Sequence, residues 1–566
     1  MTDVDTTATT TTAAQAATGG VEDSRASSDA NVEVKKAWRP SNRMYVVFLT
    51  MCIITLAAAL DATSLSVALP IMSQKLGGTA IEAFWSGTSF LITSTVFQPN
   101  FASLSDIFGR RALILVALVF FTAGAIVAAL ANNFTIILVG RSIQGIGGGG
   151  IISLTEIIVT DIVPLRERGK YFGFLSMMWA LGSVSGPLIG GAFAQEASWR
   201  WIFWINLPLC ALGFGLIPLF LNLNHRTTSF LEKLKRVDWV GSVLFVASMM
   251  SLLIPITWGG VMYPWDHWRT LVPLVLGIVG LAGFVLYERL VAKEPLIHLA
   301  VFSTRTALVN YLGTIMHGMI LWSLLYYLPL YFEAIKGLSP IMAGVAVFPE
   351  TFTVAPASVV VGLLVSITGR FRWALWLGWT LTVMGMGLLV LLDVHTPTVS
   401  WIFISLVSGL GTGILFPSMA YAIQASATDE DMAYAVSMFS FFRAFGQSFG
   451  VAIGGVIFQN ALKTEVAKHA VLRAMAGEYA ADAVALVQII KMMPAGMEGR
   501  EELLISYAAA LKVVWKAMIG FGAVGLVSSF ATEGLSLDRE LRTEHGLMEK
   551  KAAPGDSEKS GGEDQV

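Results

Sequence analysis

The feature that most constrains this chain is a long series of apolar runs, each of about 18 residues or more, the length that crosses ~30 Å of hydrocarbon. Fourteen such runs stand at 45–70, 84–105, 112–131, 134–158, 171–193, 202–222, 239–257, 271–288, 308–332, 341–366, 373–392, 400–424, 434–458 and 513–531. Lipid cannot satisfy backbone N–H and C=O groups, so each run is predicted to be a helix, which satisfies its own. The run at 239–257 is the weakest, because it contains Pro255. Those at 45–70 and 341–366 are long enough to tilt or to extend beyond the lipid. Only 13% of residues are charged, against about 25% in a soluble domain, so most of the chain must face lipid or packed helices. The fold class is an all-α integral membrane protein.

Several function classes fall away. A formal net charge of −2 leaves no global basic field for nucleic acid. Two cysteines, Cys52 and Cys210, lie in apolar runs, which excludes a disulfide framework. No His/Cys cluster suggests a metal, and no cofactor is expected. The phosphate-cradling pattern G-x-x-x-x-G-K-[ST] is absent, so ATP hydrolysis is not expected and the chain does not read as an enzyme.

An even number of spans places both termini on one side. Basic residues decide which side. The loops that would be cytoplasmic hold fourteen Lys and Arg, among them Arg110, Arg111, Arg166, Arg168 and Lys170, against four in the short opposite loops. That bias, with Lys35, Lys36, Arg39 and Arg43 ahead of the first run, predicts cytoplasmic termini. Asp429-Glu430-Asp431 is an acidic exception on the inner side. Residues 1–43 read as a polar, disordered cytoplasmic tail, and 533–566 as a second cytoplasmic tail that is polar and disordered from Ala552. The segment 459–512 mixes charged and apolar residues and reads as an external loop with one or two amphipathic helices. Asn133-Phe134-Thr135 is a glycosylation sequon, but its loop is too close to the membrane for a glycan to be expected.

The chain repeats internally. Residues 102–111 align with 362–371 at an offset of 260, Gly145–Gly149 with Gly409–Gly413 at 264, and Gly182, Gly186, Gly190, Gly191 with Gly446, Gly450, Gly454, Gly455 at 264. Two similar bundles follow, with two extra spans between them.

Between Leu175 and Pro208 stand Gly182-Ser183-Val184-Ser185-Gly186-Pro187-Leu188-Ile189-Gly190-Gly191 and then Trp199-Arg200-Trp201-Ile202-Phe203-Trp204-Ile205-Asn206-Leu207-Pro208. Glycines four apart put small surfaces on one face, which lets membrane helices approach backbone to backbone. Pro187 removes one helix hydrogen bond and invites a bend. The pattern G-x-x-x-G-P-x-x-G-G resembles the antiporter signature in the fifth helix of exporters of the major facilitator superfamily. The W-R-W segment resembles the entry to the sixth helix of its drug:proton antiporters. The resemblance extends from about Met44 to about Gly546.

It implies the major facilitator fold with 14 transmembrane helices, six plus two plus six, as in the fourteen-helix drug:proton antiporter-2 family. The segments are then an N-terminal six-helix bundle at 44–224, two linking helices at 225–300, and a C-terminal six-helix bundle at 301–532. A central cavity between rocking bundles follows from that fold.

Asp61 stands in Leu60-Asp61-Ala62-Thr63, sixteen residues after Tyr45, and so at membrane depth. A carboxylate there is costly unless paired, hydrated or protonated. Burial favours its neutral form and a nearby cation its charged form, so a balanced site can take up and release protons. The segment to Pro70 resembles the family's first-helix signature, L-D-x-T-x-x-x-x-A-L-P. Arg141 is the expected partner. It stands in Gly140-Arg141-Ser142-Ile143-Gln144-Gly145, which resembles the fourth-helix signature, and it shares a face with Gln144, Gly145 and Gly148. The alternative for this pair is a fixed structural contact.

Asp106, Gly109, Arg110 and Arg111 resemble the family's cytoplasmic loop signature, which implies a gating latch from the second helix to the opposite bundle. Ala102 and Ile107 depart from it, and Ser366 replaces the Asp in the second-half copy. Glu333, Glu350, His317 and Arg443 are charged or titratable residues in or beside spans, read first as packing or interfacial groups. For substrate contact the candidates are Gln144, Trp179, Phe203 and Tyr326. Tyr326 lies in an aromatic stretch resembling fungal members of the family.

The reading is therefore proton-coupled export of a small hydrophobic organic compound, such as a toxin, secondary metabolite or drug. The plasma membrane is the expected site and the vacuolar membrane an alternative. Uptake or vacuolar transport of amino acids or siderophores by the same fold is the second reading. A non-transporting membrane sensor is the third.

Overall fold

The computed structural model describes residues 40–77, 80–223, 229–260, 262–481, 483–494 and 496–539. The expected tails fall almost wholly outside them, as do Lys35, Lys36, Arg39 and Arg226.

Helices form at every expected run, with no β-strand among the described residues. The first half holds α1 (Asn42–Leu76), α2 (Ala80–Phe108), α3 (Arg110–Ala129), α4 (Phe134–Ile162), α5 (Arg168–Glu196), α6 (Trp201–Trp204) and α7 (Asn206–Phe220). Then come α8 (Phe230–Arg236), α9 (Trp239–Trp258) and α10 (Trp268–Leu290). The second half holds α11 (Arg305–Ala334), α12 (Pro340–Ala346), α13 (Phe348–Thr368), α14 (Arg372–Leu389), α15 (Thr398–Ser426), α16 (Met432–Val466), α17 (Ala476–Ala481), α18 (Ala483–Met492) and α19 (Arg500–Ser529). Among the described residues, twelve helical segments are long and apolar enough to cross a membrane. α2 and α14, at the second and eleventh expected runs, are helices outside those twelve.

Local chemistry explains where the helices start and break. Asn133 caps α4, its side chain accepting from the Ile136 N–H at 2.9 Å, and Thr304 and Ser339 cap α11 and α12 in the same way. The run at 202–222 divides at Ile205, because Pro208 has no N–H to give the Trp204 carbonyl. The run at 341–366 divides at Val347, just ahead of Pro349. In α9 the helix runs through Pro255, and α5 runs through Pro187.

The long loop is shorter than expected. α16 continues to Val466, and α19 starts at Arg500 rather than near 513. Glu501, Glu502 and Lys512 interrupt the apolar run but not the helix. Tyr507 is fully buried there and stacks edge-on against Phe458 at 4.9 Å. Short helices α17 and α18 fill the rest, and Lys491 of α18 reaches Glu333 at 3.2 Å. Within the acidic stretch, Asp431 pairs with His298 at 2.9 Å, and His298 stacks on Tyr434.

The repeat is visible in the packing. α1 packs on α5 in the first half as α11 packs on α16 in the second, and α3 on α4 as α14 on α15. α9 and α10 pair with each other. The halves meet along α5 with α13 and α2 with α16.

Candidate functional site

Asp61 and Arg141 meet. Asp61 is wholly buried, and its carboxylate forms an ion pair with Arg141. The other carboxylate oxygen accepts from Gln144 Nε2 at 2.8 Å and from Asn206 Nδ2 at 2.9 Å. Arg141 also donates to the Ser86 carbonyl at 3.1 Å and to Gln144 Oε1 at 2.8 Å, and its guanidinium lies 4.4 Å from the centre of the Phe90 ring. Further hydrogen bonds meet both oxygens of the Asp61 carboxylate, as a buried ion pair requires, while Arg141 Nη2 has no partner among the described residues. Asn206 was not singled out from the sequence. The signal was its place in the Ile205-Asn206-Leu207-Pro208 stretch, where α7 restarts.

The glycines of α5 bring α1 close. A Cβ on Gly182 would lie 2.9 Å from the Leu60 nitrogen, and one on Gly186 would lie 3.0 Å from the Ser64 nitrogen. Gly190 meets the Ser64 carbonyl, and Gly191 is buried. Thr63 Oγ1 donates to the Gly182 carbonyl at 3.0 Å across this contact. Asp61 lies between the residues that touch these glycines.

Arg110 is buried and bonds within its own half, to Asp106 at 3.2 Å and to Asp161 of α4 at 3.1 Å. Gly109 has φ +95°, which lets the chain turn from α2 into α3 at once. Arg111 donates to the Pro218 carbonyl at 2.8 Å and to Asn222. Neighbouring residues carry the cross-half hydrogen bonds at this end. Arg166 donates to the carbonyls of Ser366 at 2.6 Å and Ile367 at 3.0 Å. Arg168 donates to Gln424 at 3.1 Å. The Tyr421 hydroxyl accepts from the Gly169 N–H and donates to the Arg166 carbonyl, both at 2.8 Å. Ser366, in the second copy of the loop signature, donates to Glu167 at 2.9 Å.

Deeper in, Arg443 of α16 holds Glu156 of α4 at 3.0 Å, and Ser440 donates to the same carboxylate. Beside this pair lies a cavity of about 100 Å³ between the halves, lined by α2, α4, α5, α11, α13, α15 and α16. Trp179, one of the four candidates for substrate contact, lines it together with His317, Glu350 and Gln98. Gln144 and Phe203 are not in this lining. Gln144 is fully buried against Asp61, and Phe203 packs in the first-half core against Trp199. Tyr326 is also outside it, 36% exposed on α11 beside Tyr327. Glu350 is fully buried in the cavity wall. It lies in the first turn of α13, directly after Pro349.

Residues 51–451 match the family described as Major Facilitator Superfamily. A protein of Phoma sp. named MFS transporter L2 is 57% identical over 513 residues, covering 91% of this chain and 86% of the relative. The MFS-type efflux pump LUC4 of a Fusarium species is 38% identical, covering 92% and 93%. Among solved structures, the human organic anion transporter MFSD10 superposes with a TM-score of 0.53 at 16% identity, over 87% of this chain and all of that one. The chain belongs to the major facilitator superfamily.

Proposed function

We propose that this chain is a proton-coupled exporter of a small, mostly apolar organic compound such as a toxin, secondary metabolite or drug, and not an enzyme. The observation that carries the proton half of this reading is Asp61, a wholly buried carboxylate bonded to Arg141, Gln144 and Asn206. Arg141 does not release its proton in practice, so it biases Asp61 rather than carrying charge. Protonating Asp61 frees Arg141 and removes the ion pair that ties α1 to α4. The glycine contact then passes that change from α1 to α5, which packs on α13 of the other half. Export rather than import is supported by the name of the Fusarium relative, an efflux pump.

In this reading the basic end, where Arg166, Arg168 and Tyr421 join the halves, is cytoplasmic and closed. The molecule is then in an outward-facing state. Asp106, Gly109, Arg110 and Arg111 support that closure by holding the loop after α2 against α4 and α7. Fourteen spans, cytoplasmic termini and a plasma-membrane location complete the proposal.

The test is accumulation of labelled hydrophobic drugs and mycotoxins in pump-deficient yeast. Wild type should lower accumulation, and a protonophore should restore it. Higher accumulation than in empty cells would reverse the direction.

A further inference from the structure

The repeat relates the two halves residue by residue. A Cβ on Gly182 or Gly186 of α5 would meet Ala59 or Thr63, and one on Gly446 or Gly450 of α16 would meet Ile315 or Met319. Ala59 and Ile315 are 256 residues apart, as are Thr63 and Met319. In that register His317 stands where the first half has Asp61. By the same reasoning Gly145 faces the Phe90 backbone and Gly409 the Glu350 backbone. Glu350 therefore stands where the first half has Phe90, the ring beneath Arg141.

The two copies differ in how their acceptors are met. In the first, both carboxylate oxygens of Asp61 are bonded, to Arg141, Gln144 and Asn206. In the second, buried acceptors are left unmet. His317 Nε2 lies 3.0 Å from the Thr412 carbonyl oxygen, which can only accept, so Nε2 carries the proton and Nδ1 of the neutral ring is an acceptor. Nδ1 has no partner among the described residues, and neither do both oxygens of Glu350 and Oε1 of Gln98. All three side chains are at most 1% exposed, and all line the central cavity. Whether Glu350 is ionised or protonated, acceptors outnumber donors in this set. Arg443, the cation of the same wall, is bonded to Glu156 and stacked over Phe416. Trp179 and Trp322 supply apolar surface beside it.

We propose that His317, Glu350 and Gln98 form a recognition site for hydrogen-bond donors, hydroxyl groups in particular, on an otherwise apolar substrate. The inference rests on the exporter reading and gives it a substrate class. An apolar wall accepts any flat hydrophobe, whereas buried acceptors are left unmet by a compound that offers them no O–H.

The test is binding to the full-length protein in lipid nanodiscs, read by quenching of tryptophan fluorescence. The probes are estradiol, its dimethyl ether, and the permanent cation tetraphenylphosphonium. Estradiol is expected to bind about tenfold or more tightly than the ether. The variants Glu350→Leu and His317→Leu, which keep bulk and remove acceptors, are expected to bring that ratio below roughly threefold. The wild-type comparison stands if either variant fails to fold. Equal binding of diol and ether, no binding of either, or tightest binding of the cation would each overturn the proposal. Tight diol binding without export in the yeast assay would leave it standing and sink the exporter reading instead.

Discussion

Arg443 and Glu156, 287 residues apart, form a 3.0 Å ion pair that ties the second half of the molecule to the first. Both side chains are nearly buried, so each charge depends on the other. Removing one partner of such a pair strands a charge in a poorly hydrated site. Arg443→Ala is expected to cost about 3–5 kcal/mol. The double variant Arg443→Ala, Glu156→Gln should recover part of that loss, because the stranded charge is gone. Thermal unfolding of the purified protein checks both, and a double variant no better than the single would refute this account.

Asp61→Asn keeps the volume of the side chain and removes its charge. Efflux in the yeast assay should fall to the level of empty cells, with protein still present in the membrane. Exchange of substrate across proteoliposomes without a proton gradient should persist, because that half-cycle does not need the proton. Full protonophore-sensitive efflux by Asp61→Asn would remove Asp61 from the coupling path.

The Gly186 contact with α1 leaves no room for a methyl group, whereas Gly215 of α7 has no atom within 4 Å of an added Cβ. Gly186→Ala should cost about 1–3 kcal/mol and lower transport, through overpacking against Thr63 and Ser64. Gly215→Ala should be neutral. The pair is read by melting temperature and efflux together; equal effects at the two sites would show that helix propensity, not close approach, is at issue.

Tyr421→Phe deletes one hydroxyl that serves both the Gly169 N–H and the Arg166 carbonyl. Leaving the buried N–H unmet costs about 1–3 kcal/mol, so the closed basic end should lose population by roughly tenfold. Distance measurements between spin labels on α5 and α13 would report the opening. An unchanged distance distribution would mean that Arg166 and Arg168 hold the end without Tyr421.

Much of the site was legible because its parts lie in short patterns. Asp61 and Arg141 are charges inside apolar runs, and nothing but function or pairing keeps a charge there. The glycines of α5 announce a close helix contact by their spacing. Other members were hidden for a physical reason. Asn206 is an uncharged residue at a helix restart, and Glu350 follows a proline in what reads as a helix entrance. Phe203 and Tyr326 looked like cavity residues because aromatics serve core, interface and cavity alike. Only packing tells these apart, and it put Phe203 in the first-half core and Tyr326 on an exposed face.

The order of apolar and polar residues along the chain was enough to determine an all-helical membrane protein built from two repeated halves. Apolar runs of about 18 residues or more cross lipid as helices, which satisfy their own backbone, and a repeated sequence packs in a repeated way. Which residues face each other across the halves was decided only by the tertiary structure. Glu156 with Arg443, Arg166 with Ser366, and His317, Glu350 and Gln98 around one cavity are brought together by how two bundles dock. Docking depends on the shapes and charges of whole helix faces, and no local period in the sequence records it.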